Sequence, residues 1–200
     1  MKLRYIIFRK ETPKTSEDND KPKTSEDNDK FEFTDEPPIT VKDETGKEHT
    51  VYRIRAKKDI IVNGIIVVHN GELGGFIEKE ENLDYKSNAW ISGNAIVFGD
   101  AKVYGDAWVH DRAQVYGEAQ VYGEAVVAGD AKVYGKAKVY EKAVVAGNAE
   151  VTGEAEVYGK AMVFGKAKVS GKSNIHERAM VYDKAKVCDR EVAGDEQLYR

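Results

Sequence analysis

From Asn88 to Asp189 the chain divides into 17 uninterrupted hexads of the form x-Ala-x-Val-x-Gly, as in DAKVYG at 100–105 and EAQVYG at 118–123. The aliphatic position is Val or Ile in all 17, the small position is Ala in 16 with Ser173 the exception, and Gly closes 12 of them. Alternation within Ala-x-Val-x puts Ala and Val on one side of a short strand and the two variable residues on the other. The glycine that follows accepts a positive φ without a Cβ penalty, so the chain can turn a corner after every strand. Asp111, Asp183 and Asp189 replace it with a residue that tolerates this conformation, whereas Glu141 and Glu177 do so less readily and mark expected irregularities. Units this small cannot bury a face alone, so the period predicts a solenoid whose stacked coils share one core.

A longer period lies inside the short one. Taking the outward residue between Ala and Val at every third hexad gives an apolar series: Trp90, Trp108, Val126, Val144, Met162 and Met180. The other two series are mainly polar, from Lys102 through Lys138 to Asn174 and from Ile96 through Lys132 to Lys186. Three hexads per 18-residue coil explain this, because each series then becomes one flat face of a triangular rod. Residues 88–189 make somewhat under six such coils and a rod of about 27 Å at ~4.8 Å per stacked strand. The fold expected is all-β, a parallel β-helix with a small N-terminal β-hairpin region.

The flanking segments follow other patterns. Residues 1–12 read as a strand, with Tyr5, Ile6, Ile7 and Phe8 between charged flanks. Residues 13–30 hold PKTSEDNDK twice in tandem, with nothing to bury, and read as a flexible linker. Residues 31–70 read as a hairpin region: Ile39 to Lys42, a turn at Asp43–Gly46, then Thr50 to Arg55, followed by Ile60 to Val68 broken at Asn63-Gly64 as a second hairpin or the first solenoid rungs. Residues 71–87 are expected to cap the first coil, and residues 190–200, charged and out of hexad register, to cap the last.

Composition agrees with a narrow repetitive core, since most apolar residues are Val, Ala and Tyr. A formal net charge of −4 gives no global basic footprint and disfavours nucleic acid. The apolar run near the N-terminus is too short for a signal-peptide core or a membrane span, which points to a cytoplasmic protein without membrane attachment. The single cysteine, Cys188, cannot form an internal disulfide and fits a reducing compartment.

These hexads resemble the left-handed β-helix of hexapeptide-repeat acyltransferases over about half the chain. Handedness follows from that resemblance alone. Gly74-Gly75-Phe76-Ile77-Glu78 with Asn82-Leu83, ahead of the GNA and GDA repeats, is similar to the bacterial and phage YdcK-like proteins, commonly labelled transferases. The resemblance implies an acyl-CoA-dependent transferase with a histidine base between subunits, and a homotrimer. This sequence departs from that pattern, because no loop projects from the 17 hexads to hold a coenzyme A arm. His110 is the sole weak catalytic candidate; it and His176 sit at outward positions beside corners, on different faces, with no carboxylate evidently placed to orient them. Only His49, His69, His110 and His176 exist, too dispersed for the three zinc-binding histidines of the carbonic-anhydrase relatives of the fold, and no cofactor or metal is expected.

Binding is the reading these features favour: a non-catalytic protein-binding or scaffold solenoid, possessed of a long apolar face and aimed, if phage-borne, at a host protein. The face from Trp90 to Met180 would contact a protein partner, a second copy, or the N-terminal hairpins folded back. A second face stacks Tyr104, Tyr122, Tyr140 and Tyr158, ending in His176, with Phe98, Tyr116 and Tyr134 as a companion row; packing explains it, and a sugar, base or peptide platform is the alternative. Corner charges drift from acidic at Asp100, Asp106 and Glu124 to basic at Lys142, Lys160 and Arg178, which would also suit a self-assembling polymer.

Overall fold

The computed structural model describes residues 21–199. The strand expected over 1–12 and most of the first copy of the duplicated segment lie outside the described residues. From Phe31 onward the chain is all-β apart from one 3-10 turn at Glu80–Asn82. Strands β1 (Phe31–Phe33), β2 (Ile39–Lys42) and β3 (Glu48–Ala56) form an antiparallel group around β3, and β4 (Ile60–Val62) and β5 (Ile65–Val68) a separate two-stranded hairpin. Strand β6 (Leu73–Ile77) is the junction: it runs antiparallel to β3 on one side and parallel to β8 (Ile96–Val97) on the other.

From β7 (Trp90–Ile91) to the last strand at Gln197–Leu198, short strands stack in parallel into three sheets, one per face. Residues 18 apart align, as in Trp108 with Val126 and Lys138 with Glu156, and this is the parallel β-solenoid the hexads predict. The stack has about 7 turns rather than somewhat under six. Two segments expected to serve only as caps account for the difference. Ile77 pairs with Val97 and Leu83 bridges to Val103, so the solenoid starts earlier. At the other end Met180 pairs with Gln197 and Asn174 with Glu191, a spacing of 17, so the hexad beginning at Arg190 has lost one residue and the stack continues.

Alternation works as the repeat demands. The inward alanines and valines of the hexads from Ala89 to Val181 are fully buried in one continuous core, and Ser173, in an alanine place, donates its hydroxyl to the Ser170 carbonyl at 2.7 Å. Corners take positive φ whether glycine or not: Asp111 at 62°, Glu141 at 57°, Glu177 at 58°. Glu141 and Glu177 therefore adopt the regular corner, and the ladders run on past them unbroken. A corner Cβ points at the backbone of the next coil.

A prediction follows at Gly129, where φ is 71° and an added Cβ would lie 2.9 Å from both the N and O of Gly147. Gly129→Ala combines left-handed strain with backbone crowding and should cost about 2–4 kcal/mol in urea unfolding. Gly46→Ala, at φ 86° with nothing within 4 Å, should cost only about 1 kcal/mol. Equal costs would show that the next coil yields freely.

The duplicated segment departs from the expected tether at its end. The Ser25 N–H and hydroxyl and the Asn28 side-chain amide donate to the Glu80 carboxylate, and Asn28 is fully buried. Lys30 is 1% exposed, and its ammonium donates to the backbone carbonyls of Asp84 and Ala89. A charged, polar repeat thus anchors the N-terminal strands on the first coil, since backbone oxygens left over at the start of a solenoid need donors.

Candidate functional site

The apolar series forms one face, with Trp90, Trp108, Val126, Val144, Met162 and Met180 in register and Gln197 ending the row. Its members do not share one environment. Trp90 is fully buried in the core cluster with Phe31, Phe33 and Ile54, with Gly74 close against its ring, so as a surface binding residue it is corrected. Trp108, Val126, Val144 and Met180 are half-buried, and Met162 is exposed. Beside them runs a companion row of Ala128, Ala146, Phe164 and Tyr182, the last two stacked at 5.1 Å.

The N-terminal strands lie mainly over a different face. Val51 and Phe76 pack on Phe98 and Tyr116, with Val41 and Tyr134 at the edge of that cluster. His49 rests its ring on Phe98 at 4.8 Å, with Nδ1 3.0 Å from Glu78 Oε1 and Nε2 3.5 Å from Asp43 Oδ2. The hairpin turn reaches Tyr116, whose hydroxyl is pushed well above its ordinary range by burial and by the nearby Glu44 and Asp43 carboxylates. This clasp had no local signal: Asp43, His49 and Glu78 are brought together only by folding.

On the third face Tyr104, Tyr122, Tyr140 and Tyr158 stack with centroids 4.8–4.9 Å apart, and His176 continues the ladder at 5.0 Å. The ring faces between neighbours are therefore taken by other rings, which suits packing. The Tyr104 hydroxyl donates to Gln120 at 3.1 Å and that of Tyr140 to Glu156 at 2.9 Å, while Lys138 also holds Glu156. Desolvation first, and then Glu156, push the Tyr140 hydroxyl upward.

Compared with protein-family models and with curated proteins, the chain matches none. Its own geometry must carry the functional reading.

His110 has a carboxylate after all: its Nδ1 is 3.2 Å from Asp111 Oδ2, and His176 Nε2 is 2.8 Å from Glu191 Oε1. Neither histidine lines a described cavity. A groove of about 660 Å³ follows the corner row that ends at Glu177, floored by Gly105, Gly123 and Gly159 and flanked by Glu124, Lys142 and Lys160. Corner charges pair along the stack, Lys142 with Glu124 at 3.2 Å, Arg112 with Asp130 at 2.7 Å and Arg178 with Asp195 at 2.8 Å, so the drift in charge is partly neutralised locally. Among the described residues no group of three or more His, Cys, Asp or Glu could hold a metal ion, and no helix is long and apolar enough to cross a membrane.

Proposed function

We propose that the protein is a non-catalytic binding rod whose contact surface is the apolar face from Trp108 to Met180. We read its coils as left-handed and of the hexapeptide class, similar to the YdcK-like proteins of bacteria and phages. One observation carries the binding reading. Among the described residues, the N-terminal strands cover the face of Phe98 and Tyr116 and reach the apolar row only at Trp90, leaving five rungs of apolar side chain uncovered. A continuous apolar strip on a flat sheet, edged by charged corners, has the anatomy of a protein contact: apolar centre and polar rim. His110 lines none of the three described pockets, so the geometry adds nothing in favour of acyl transfer. End-to-end polymerisation is no better supported, because the N-terminal strands occupy one end of the stack.

The experiment pairs light scattering with capture of partners from the native host, using the full chain and Trp108→Asp. We expect the substitution to reduce the associated mass or abolish capture, with the circular dichroism of the solenoid unchanged. Unchanged mass and unchanged capture would remove the reading. Calorimetric titration with coenzyme A should show no binding; binding that disappears in His110→Ala would favour a transferase instead.

A further inference from the structure

Stacked rings along the solenoid stay nearly parallel, with interplanar angles of 2°, 1° and 4° between successive tyrosines. Successive coils thus hardly twist, and the faces are flat over their length, unlike ordinary twisted sheets. Flat faces can be opposed along a whole rod. The uncovered apolar row is centred on Val144, two rungs from Trp108 at one end and two from Met180 at the other. Next to it Ala128 and Ala146 leave a shallow trough, and one coil beyond Ala146 the half-buried ring of Phe164 begins a ridge.

Charge at the edge of this face is ordered. Asp106 and Glu124 flank its N-terminal half, and Lys142, Lys160 and Arg178 its C-terminal half. Such an edge is complementary to itself when reversed.

The geometry points to a partner: the same face of a second copy, with the two rods antiparallel about a twofold axis through the coil of Val144. This rests on reading the face as a contact surface, and names what it contacts. About that axis Phe164 of one copy lies over Ala128 of the other, ridge into trough, and Val144 meets its counterpart. Glu124 comes opposite Lys160 of the second copy, Asp106 opposite Arg178, and on the far edge Asp130 opposite Lys166. Parallel rods related by an axis along their length would instead set Glu124 against Asp130 and Lys160 against Lys166, so electrostatics selects the antiparallel pair. Two like-charge approaches remain, Lys142 with itself and Arg112 with Lys184. Both are softened within each chain, because Lys142 is held by Glu124 and Arg112 by Asp130.

Five rungs at ~4.8 Å by the width of a short strand and its corners give roughly 400 Å² per copy. That total lies below the standard interface, so the pair is reversible and of micromolar strength.

Sedimentation velocity on the full chain tests it. We expect a two-copy particle that dissociates on dilution and at high salt. Glu124→Lys should weaken it about tenfold or more, since the change acts twice in a symmetric pair, and adding Lys160→Glu to the same chain should restore it. Stronger or unchanged association of Glu124→Lys, failure of the second change to restore it, or a three-copy particle would overturn the antiparallel pair. If the chain stays single at about 100 μM while Met162→Asp still abolishes capture of a different protein, self-pairing is overturned and the contact-surface reading stands. If a pair forms and neither Glu124→Lys nor Met162→Asp affects it, both fall.

Discussion

Raising the pH from about 7 to about 10 is expected to stabilise the folded protein by up to about 4 kcal/mol, and Lys30→Met is expected to flatten that rise. Lys30 is almost completely buried, and desolvation pulls its ammonium from 10.5 down to about 7, with Asp84 only partly opposing the shift. Below pH 7 both folded and unfolded chains hold this proton, and the folded chain bears the cost of a charge kept from water. Between 7 and 10.5 the unfolded chain holds the proton and the folded one has released it, so stability climbs with pH. The neutral amine keeps two N–H groups for its two backbone acceptors. Above about pH 10 the trend reverses. Tyr116 and Tyr140 are raised in the fold, so the unfolded chain loses their protons first and stability falls. Urea unfolding of the full chain and of Lys30→Met at several pH values measures this; a flat profile between 7 and 10 in the unsubstituted chain would refute it.

Trp90→Ala is expected to cost about 3–5 kcal/mol, whereas Trp108→Ala, at the same place in the next coil, should cost about 1 kcal/mol. Trp90 is fully buried between the N-terminal strands and the first coil, so truncation opens a cavity against Ile54 and beneath Gly74. Its indole N–H has no hydrogen-bond partner among the described residues, so Trp90→Phe should retain most of the stability lost in the alanine variant. Trp108 touches the core from one side and is partly open to solvent. Denaturant melts of the three variants decide the point. Equal losses at the two tryptophans would mean that the N-terminal strands do not bury Trp90 as described.

Those two residues show how far reading along the chain could go. Both occupy the outward place of their hexads, and periodicity alone gives them one role. What separates them is the docking of Phe31, Phe33 and Ile54, residues far off in sequence and with no period that relates them to a particular face. Similarly, the PKTSEDNDK repeat reads as solvated tether from its polarity, yet the second copy supplies Asn28 and Lys30 as buried donors for groups 52 to 59 residues away. Polarity says that a side chain wants a partner and does not say whether the partner is water. The carboxylates beside His110 and His176 were half legible: Asp111 is the adjacent residue, whereas Glu191 reaches His176 only because the last coil drops one residue.

Much followed from the order of amino acids alone. Alternation of two sets the inward alanines and valines, the six-residue period sets the corners and their positive φ, and the three-hexad period sets three faces with their stacked tyrosines and their apolar row. Each is a local rule repeated, and repetition makes a weak local preference collective, because every coil templates the next at the same register. Tertiary structure decided the rest: which face the N-terminal strands cover, where the stack starts, how it survives a deletion, and which tryptophan is core and which is surface. These depend on a single, unrepeated docking of one segment on another, and such a contact is specified by shape and unpaired backbone groups that exist only once the first coil has formed.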